Sequence, residues 1–391
     1  MRLRCLIAAC CVFVLLCVSN GIAAAGSDVA DAAMKRNLSG VRSLLQQKAD
    51  VNAGQADGAT ALHWAVHFDD LEMAELLIRA GANVKAANRF GVTPLSLACI
   101  NGNAAMIEKL LKAGADPKAP LSELGETPVM MAARSGNVEA VKVLLDHGVD
   151  INVKEKSKGH TALMWAASEG HPAVVKLLLE HGAEVNARSN ADAPAGGARR
   201  GGGGGGQPAQ QNAGQRGAAP AERAPQPVCP PTNFRRPEPV FGVAGPAVRP
   251  KPTGGGCISA LILAARQNDK ESARALLDAG ADINLPMADG TTALVIAITN
   301  AHNELAAFLL QRGADPNLAD GKGQTALYAA LDQRNVMTSE VPQAKPDNLD
   351  FLDLIQMILD HGANVNARLV SKLPFRGGGN PTWQSEVGAT P

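Results

Sequence analysis

The sequence predicts an all-α fold, a solenoid of short paired helices in two stacks joined by a long Gly/Pro-rich linker. Three observations carry this. A cap-and-helix pattern returns at a near-constant interval of 33 or 34 residues. A glycine follows at a fixed distance within each copy. Hydrophobic residues make up 46% of the 391 residues but aromatics only 3%, so the core must be built from Ala, Leu, Val and Ile. Such side chains let helices approach closely, whereas sandwiches and barrels draw on aromatic and β-branched residues. Lysine plus arginine (37) balance aspartate plus glutamate (37), so a dedicated nucleic-acid binder is not indicated.

The first element is an address. Met1-Arg2-Leu3-Arg4 is a basic start, Cys5 to Val18 carries no charge, and Ala23-Ala24-Ala25 offers the small residues a signal peptidase reads. The apolar run is short of the about 20 residues a membrane span needs. Residues 1–25 are therefore expected to be a cleaved signal peptide, which places the chain in the periplasm or outside the cell. The alternatives are an uncleaved anchor and lipidation at Cys10. Four cysteines (Cys5, Cys10, Cys11, Cys17) belong to this segment, leaving Cys99, Cys229 and Cys257, which is no disulfide framework.

The repeat follows. Its signature is a hydroxyl residue, a small residue or proline, and an apolar residue, leading into an Ala-rich helix. It occurs at Thr60-Ala61-Leu62, Thr93-Pro94-Leu95, Thr127-Pro128-Val129, Thr161-Ala162-Leu163, Ser259-Ala260-Leu261, Thr292-Ala293-Leu294 and Thr325-Ala326-Leu327. In the first six, a glycine stands 19 positions after the apolar residue: Gly81, Gly114, Gly148, Gly182, Gly280 and Gly313. The hydroxyl residue caps a helix, and Pro94 and Pro128 fit its first position. A second helix carries an apolar stripe, as in Val174-Val175-Lys176-Leu177-Leu178-Leu179. The glycine closes it in the left-handed conformation. One such unit cannot bury its apolar face, but a stack of three or more can.

At these residues the chain resembles the ankyrin repeat family, over 27–189 (repeats 1–5) and 257–366 (repeats 6–8). The resemblance implies an ankyrin-repeat α-solenoid of helix–turn–helix–hairpin units. It implies a non-catalytic protein-binding scaffold that docks its partner in a concave groove of hairpin tips and first helices. The family's Thr-Pro-Leu-His motif keeps its histidine only at His63; Ser96, Met130, Met164, Ile262, Val295 and Tyr328 replace it elsewhere. The first unit is degenerate, with Ser27-Asp28-Val29 in the cap position and Lys48 in place of the closing glycine, and reads as an N-terminal capping repeat. The exported start and the Gly/Pro-rich insertion are similar to ankyrin proteins of environmental bacteria.

Residues 190–256 break the period with 15 Gly and 12 Pro. Such a stretch buries too little apolar surface to offset chain entropy, so disorder is expected. Its eight Arg and Lys against three Asp and Glu make it basic. This reads as a solubilising linker, with polyanion binding as the alternative. Repeat eight is stretched around Val336 to Asn348, before a second helix at Leu349–Leu359. Another insertion follows Gly362. Both are expected on the hairpin side. Gly388-Ala389-Thr390-Pro391 matches Gly91-Val92-Thr93-Pro94, so 257–391 holds repeats 6–8 and the start of a ninth. A gene continuing into an enzyme domain is the third reading of function.

No catalytic constellation, cofactor motif or metal-ligand spacing is found. His147, His181 and His361 each precede a closing glycine and are expected to bond the last carbonyls of a helix. Trp64 and Trp165 are expected in the core, and Cys99 as a buried, inert thiol. For Cys229 and Cys257, a disulfide and free thiols both stand open. The resemblance places the binding candidates at the ends of first helices and in the preceding turns: His67, Phe68, Arg89, Phe90, Ile100, Asn101, Arg134, Ser135, Ser168 and Glu169. Aromatic and arginine side chains at exposed tips suit interface anchors; mutual packing of Phe68 and Phe90 is the other reading. The expected partner is an unidentified protein, with no specific nucleic acid and no membrane span after signal cleavage, bound by a monomer.

Overall fold

The computed structural model describes residues 27–191, 229, 256–337, 347–370 and 390. The expected signal peptide, most of the linker and the greater part of both later insertions lie outside them. The described residues form sixteen helices and no strand; a single antiparallel bridge joins Ala191 to Gly256. The repeats form separate stacks, in two compact units. The first runs to Val149 without residues 124–126, and the second takes those three and everything from Asp150.

The first unit holds four helix pairs: α1 (Asp28–Met34) with α2 (Leu38–Gln46), α3 (Ala61–His67) with α4 (Leu71–Arg79), α5 (Pro94–Asn101) with α6 (Ala104–Lys112), and α7 (Pro128–Ser135) with α8 (Val138–Asp146). Each first helix packs on the next first helix, and α4, α6 and α8 follow one another on the outer side. The Ala-rich sequences explain the close approach. Ala61, Ala65, Ala98, Ala132 and Ala133 are fully buried, and larger side chains such as Leu62, Leu77, Leu110 and Leu144 fill the space between layers. Each such leucine contributes about 2 kcal/mol on burial.

Capping follows the expected chemistry. The Thr93 hydroxyl accepts from the Ser96 amide at 3.2 Å, and Thr161, Ser259 and Thr292 do the same for their own first turns. Second helices have caps that the repeat signature does not show. Asn37, Asp70, Asn103 and Asn137 each accept an amide three residues on. The closing glycines, from Gly81 to Gly362, all have φ between 68° and 95°. Lys48 adopts the same left-handed conformation, φ 61°, without glycine's freedom. His147, His181 and His361 donate from Nδ1 to the carbonyls of Val143, Leu177 and Met357 at 2.7–2.8 Å, as expected.

The second unit holds α9 (Ala162–Glu169) with α10 (Pro172–Glu180), α11 (Ala260–Arg266) with α12 (Lys270–Asp278), α13 (Ala293–Thr299) with α14 (Asn303–Gln311), and α15 (Ala326–Met337) with α16 (Phe351–Asp360). The pair α9–α10 packs directly on α11–α12, although residues 190–256 lie between them in sequence. The ends of that insertion meet. Ser189 donates its amide to Ile258 (2.9 Å), Cys257 donates to Asn190 (3.2 Å), and the Arg188 guanidinium reaches the Pro286 carbonyl at 2.7 Å. Cys229 and Cys257 form a disulfide, with Cα atoms 5.6 Å apart.

Two expectations are corrected. Trp64 and Trp165 are half-buried rather than core residues. The same position is half-buried at Leu97 and Ile296 too, so it belongs to the margin of the core and not to its centre. In repeat eight, α15 continues to Met337, into the expected loop. The returning end of that insertion does not sit on the hairpin side. The Asp347 carboxylate accepts from the Glu304 amide at 2.8 Å, and Asn303 donates to the Leu349 carbonyl at 2.8 Å. That places it at the N-terminus of α14, where orphan amides call for acceptors.

Candidate functional site

The lateral ties between repeats explain which surface residues are spoken for. At the hairpin end an asparagine clamps four of the repeats to the next. Asn52 donates to the Gly81 carbonyl (3.2 Å) and accepts from the Asn83 amide (2.7 Å). Asn152, Asn186 and Asn317 repeat this on Gly182 and Glu184, Gly280 and Asp282, and Gly362 and Asn364. The repeat-by-repeat register would have exposed this ladder, but the motif search centred on the helix start did not. Lys85 and Lys118 occupy the same register position without such bonds.

At the start of α3, the Thr60 amide donates to His63 Nδ1 at 3.1 Å, which leaves Nε2–H to donate to the Val92 carbonyl at 3.0 Å. Burial holds the pKa of this ring below the ordinary histidine value, against the pull of the Val92 bond and Asp57. Ser96 replaces the local half of this network, accepting from the Thr93 amide and donating to the Thr93 carbonyl. The Cys99 thiol is fully buried, and burial raises its pKa far above the ordinary range, so it is inert.

Several binding candidates also bond within the chain. The Asn101 amide reaches back to the Val66 carbonyl at 3.1 Å and the Asp69 carboxylate at 3.1 Å, tying α5 to the end of α3. Gln333 in the second unit does the same to Thr299. Ser135 and Ser168 return their hydroxyls to the Ala132 and Trp165 carbonyls at 2.8 and 3.0 Å. Arg134 is exposed on α7. Ser168 and Glu169 belong to the second unit.

The remaining candidates belong to the first unit, where the rings lie in two aromatic–arginine clusters. The Phe68 ring stacks on Trp64 (centroids 5.9 Å, 24°), and His67 meets both edge-on at 5.8 and 5.0 Å. Arg36, the residue after the α1 C-cap, lies 5.4 Å over Phe68. The Trp64 Nε1–H donates to Gln55 at 2.8 Å, and Gln55 donates to Asp31 at 2.6 Å, so the indole is fixed. In the next hairpin the Arg89 guanidinium lies 4.7 Å over Phe90. Phe90 is 66% exposed and Ile100 56%. Phe68 and Phe90 thus take different ring partners rather than each other. Arg36, Trp64 and Gln55 were not among the expected residues. Arg36 lies in the degenerate first repeat, where the signature that places the others is lost.

Among the described residues no cluster of three His, Cys, Asp or Glu is placed to hold a metal ion. No described helix is long and apolar enough to cross a membrane. A family model described as ankyrin repeats (3 copies) matches residues 29–120, 117–189 and 261–368. The fold is similar to that of the human ASB11 ankyrin repeat domain, a crystal structure. The TM-score is 0.51 and the identity 23%, covering 74% of this chain and 98% of that one. No curated protein sequence matches.

Proposed function

This chain belongs to the ankyrin repeat family, and from that premise we propose that it is a non-catalytic scaffold, exported as a monomer, that captures a protein partner on the aromatic–arginine face of its first unit. Repeats of this family generally mediate protein–protein interaction. One observation carries the assignment to this face. A phenylalanine 66% exposed lies under its own arginine, and an isoleucine 56% exposed stands in the last turn of the helix that follows. Burying such side chains against a partner is favourable, at about 25 cal/mol per Å² of apolar area. Aromatic and arginine side chains are the usual anchors of such contacts. Export is supported by the pattern of residues 1–25 and by the Cys229–Cys257 disulfide, which needs an oxidising compartment.

The test is a comparison of the intact chain with Phe68→Ala/Phe90→Ala in crosslinking and affinity capture from an envelope extract. Partner recovery should fall about tenfold or more, equivalent to about 1.4 kcal/mol, with circular dichroism unchanged. Equal recovery with both proteins would remove this face from the function.

A further inference from the structure

We infer that the face on the first unit takes an acidic segment of its protein partner, one in which carboxylates stand beside aliphatic side chains. This rests on the reading above that the face is the docking surface, and it adds the chemistry of what docks.

The apolar half of the argument is a distribution. The large apolar side chains exposed on the first unit are Met34, Phe90 and Ile100. They lie at the ends of α1 and α5 and in a hairpin tip. None is on α2, α4, α6 or α8.

The charged half is an imbalance in how the two signs are used. Four ion pairs among the described residues of the first unit join side chains of its outer helices: Arg42 with Glu72, Lys109 and Arg79 with Glu75, and Lys112 with Glu108. Three carboxylates near the rings are engaged by their own chain: Asp31 accepts from Gln55 and Ser27, Asp57 from the Ala59 amide, and Asp69 from Asn101. Two arginines there are not matched in this way. Arg36 and Arg89 each lie over a phenylalanine ring, and neither meets a carboxylate among the described residues. Lys35 is exposed beside Arg36.

A guanidinium resting on a ring has already lost part of its side-chain freedom and keeps its fork of N–H donors. A carboxylate fits that fork bidentately. The residues next to the carboxylate can then cover Phe90, Ile100 and Met34. A basic segment would meet two arginines with no carboxylate of their own. A polynucleotide would satisfy the arginines but leave the aliphatic Met34 and Ile100 without a matching surface. The observations therefore favour an acidic, apolar protein segment.

The test is panning of a displayed random peptide library on the full chain, alongside Arg36→Glu/Arg89→Glu and Phe68→Ala/Phe90→Ala. Peptides retained by the unmodified chain should be enriched in Asp and Glu next to Leu, Ile, Val or Phe. A synthesised representative should lose affinity about tenfold on charge reversal and weaken as salt is raised. Enrichment of basic or uncharged sequences, or of the same sequences on the charge-reversed chain, overturns the inference. Uncharged sequences lost only on Phe68→Ala/Phe90→Ala would overturn the acidic partner and keep the docking face. Retention of no peptide counts against both. A thymidine oligonucleotide that binds the chain more tightly than the representative peptide overturns the inference in favour of a polynucleotide.

Discussion

Lys48 shows how one residue departs from the rule its neighbours obey. Seven closing positions of second helices hold glycine at φ 68–95°, where an added Cβ meets nothing within 4 Å at Gly81, Gly114 or Gly148. The obstacle to a side chain there is backbone strain and not space. Lys48 takes φ 61° in the same role, fully on the surface. Lys48→Gly should therefore stabilise the first unit by about 0.5–1 kcal/mol, read as a raised melting temperature; a lowered one would refute the strain. His63 carries the other prediction at this scale. Burial lowers its pKa in the fold, so on acidification the unfolded chain takes up the proton first. The stability it protects is complete above about pH 7 and falls as the pH drops below about 6.5. Denaturation midpoints of the wild type should decline from pH 7 to pH 5 more steeply than those of His63→Gln. His160, whose pKa burial also lowers, keeps the residual slope of the same sign.

Elements are held side by side by polar clamps in addition to apolar packing. The asparagine ladder joins hairpins at Asn52, Asn152, Asn186 and Asn317, and lapses at Lys85. A surface clamp of this kind is worth about 1 kcal/mol. Asn52→Ala should lose that amount, and Lys85→Asn should gain it by reaching the Gly114 carbonyl and the Asp116 amide. Chemical denaturation of the two variants reads both signs, and a neutral Lys85→Asn would show that its hairpin is set differently. The helices themselves were legible from their caps, their alanines and their glycines, because those signals are local. The ladder is not legible locally, because each asparagine acts on the following repeat, 29 to 94 residues away. The ties of Asn101 are hidden for the same reason. Its place at the end of a first helix reads as a binding position, yet its amide is used on Val66 and Asp69 of the repeat before.

At the scale of the whole molecule, the Cys229–Cys257 disulfide and the N-terminal segment point to the same compartment. Mass spectrometry of the chain recovered from outside the cytoplasm should find it beginning at Gly26 with Cys229 bonded to Cys257. A chain retained in the cytoplasm with its first 25 residues and both thiols reduced would end the export proposal. The sequence by itself determined the repeat, its period, its closing glycines and the all-α class, because those depend on the conformational limits of single residues and of helix ends. Only the tertiary structure decided that α9–α10 stacks on α11–α12 across the insertion, that Arg36 and Trp64 frame Phe68, and that Asn101 serves the neighbouring repeat. Those outcomes depend on which side chains a stack brings within bonding distance, and spacing along the chain does not carry that distance.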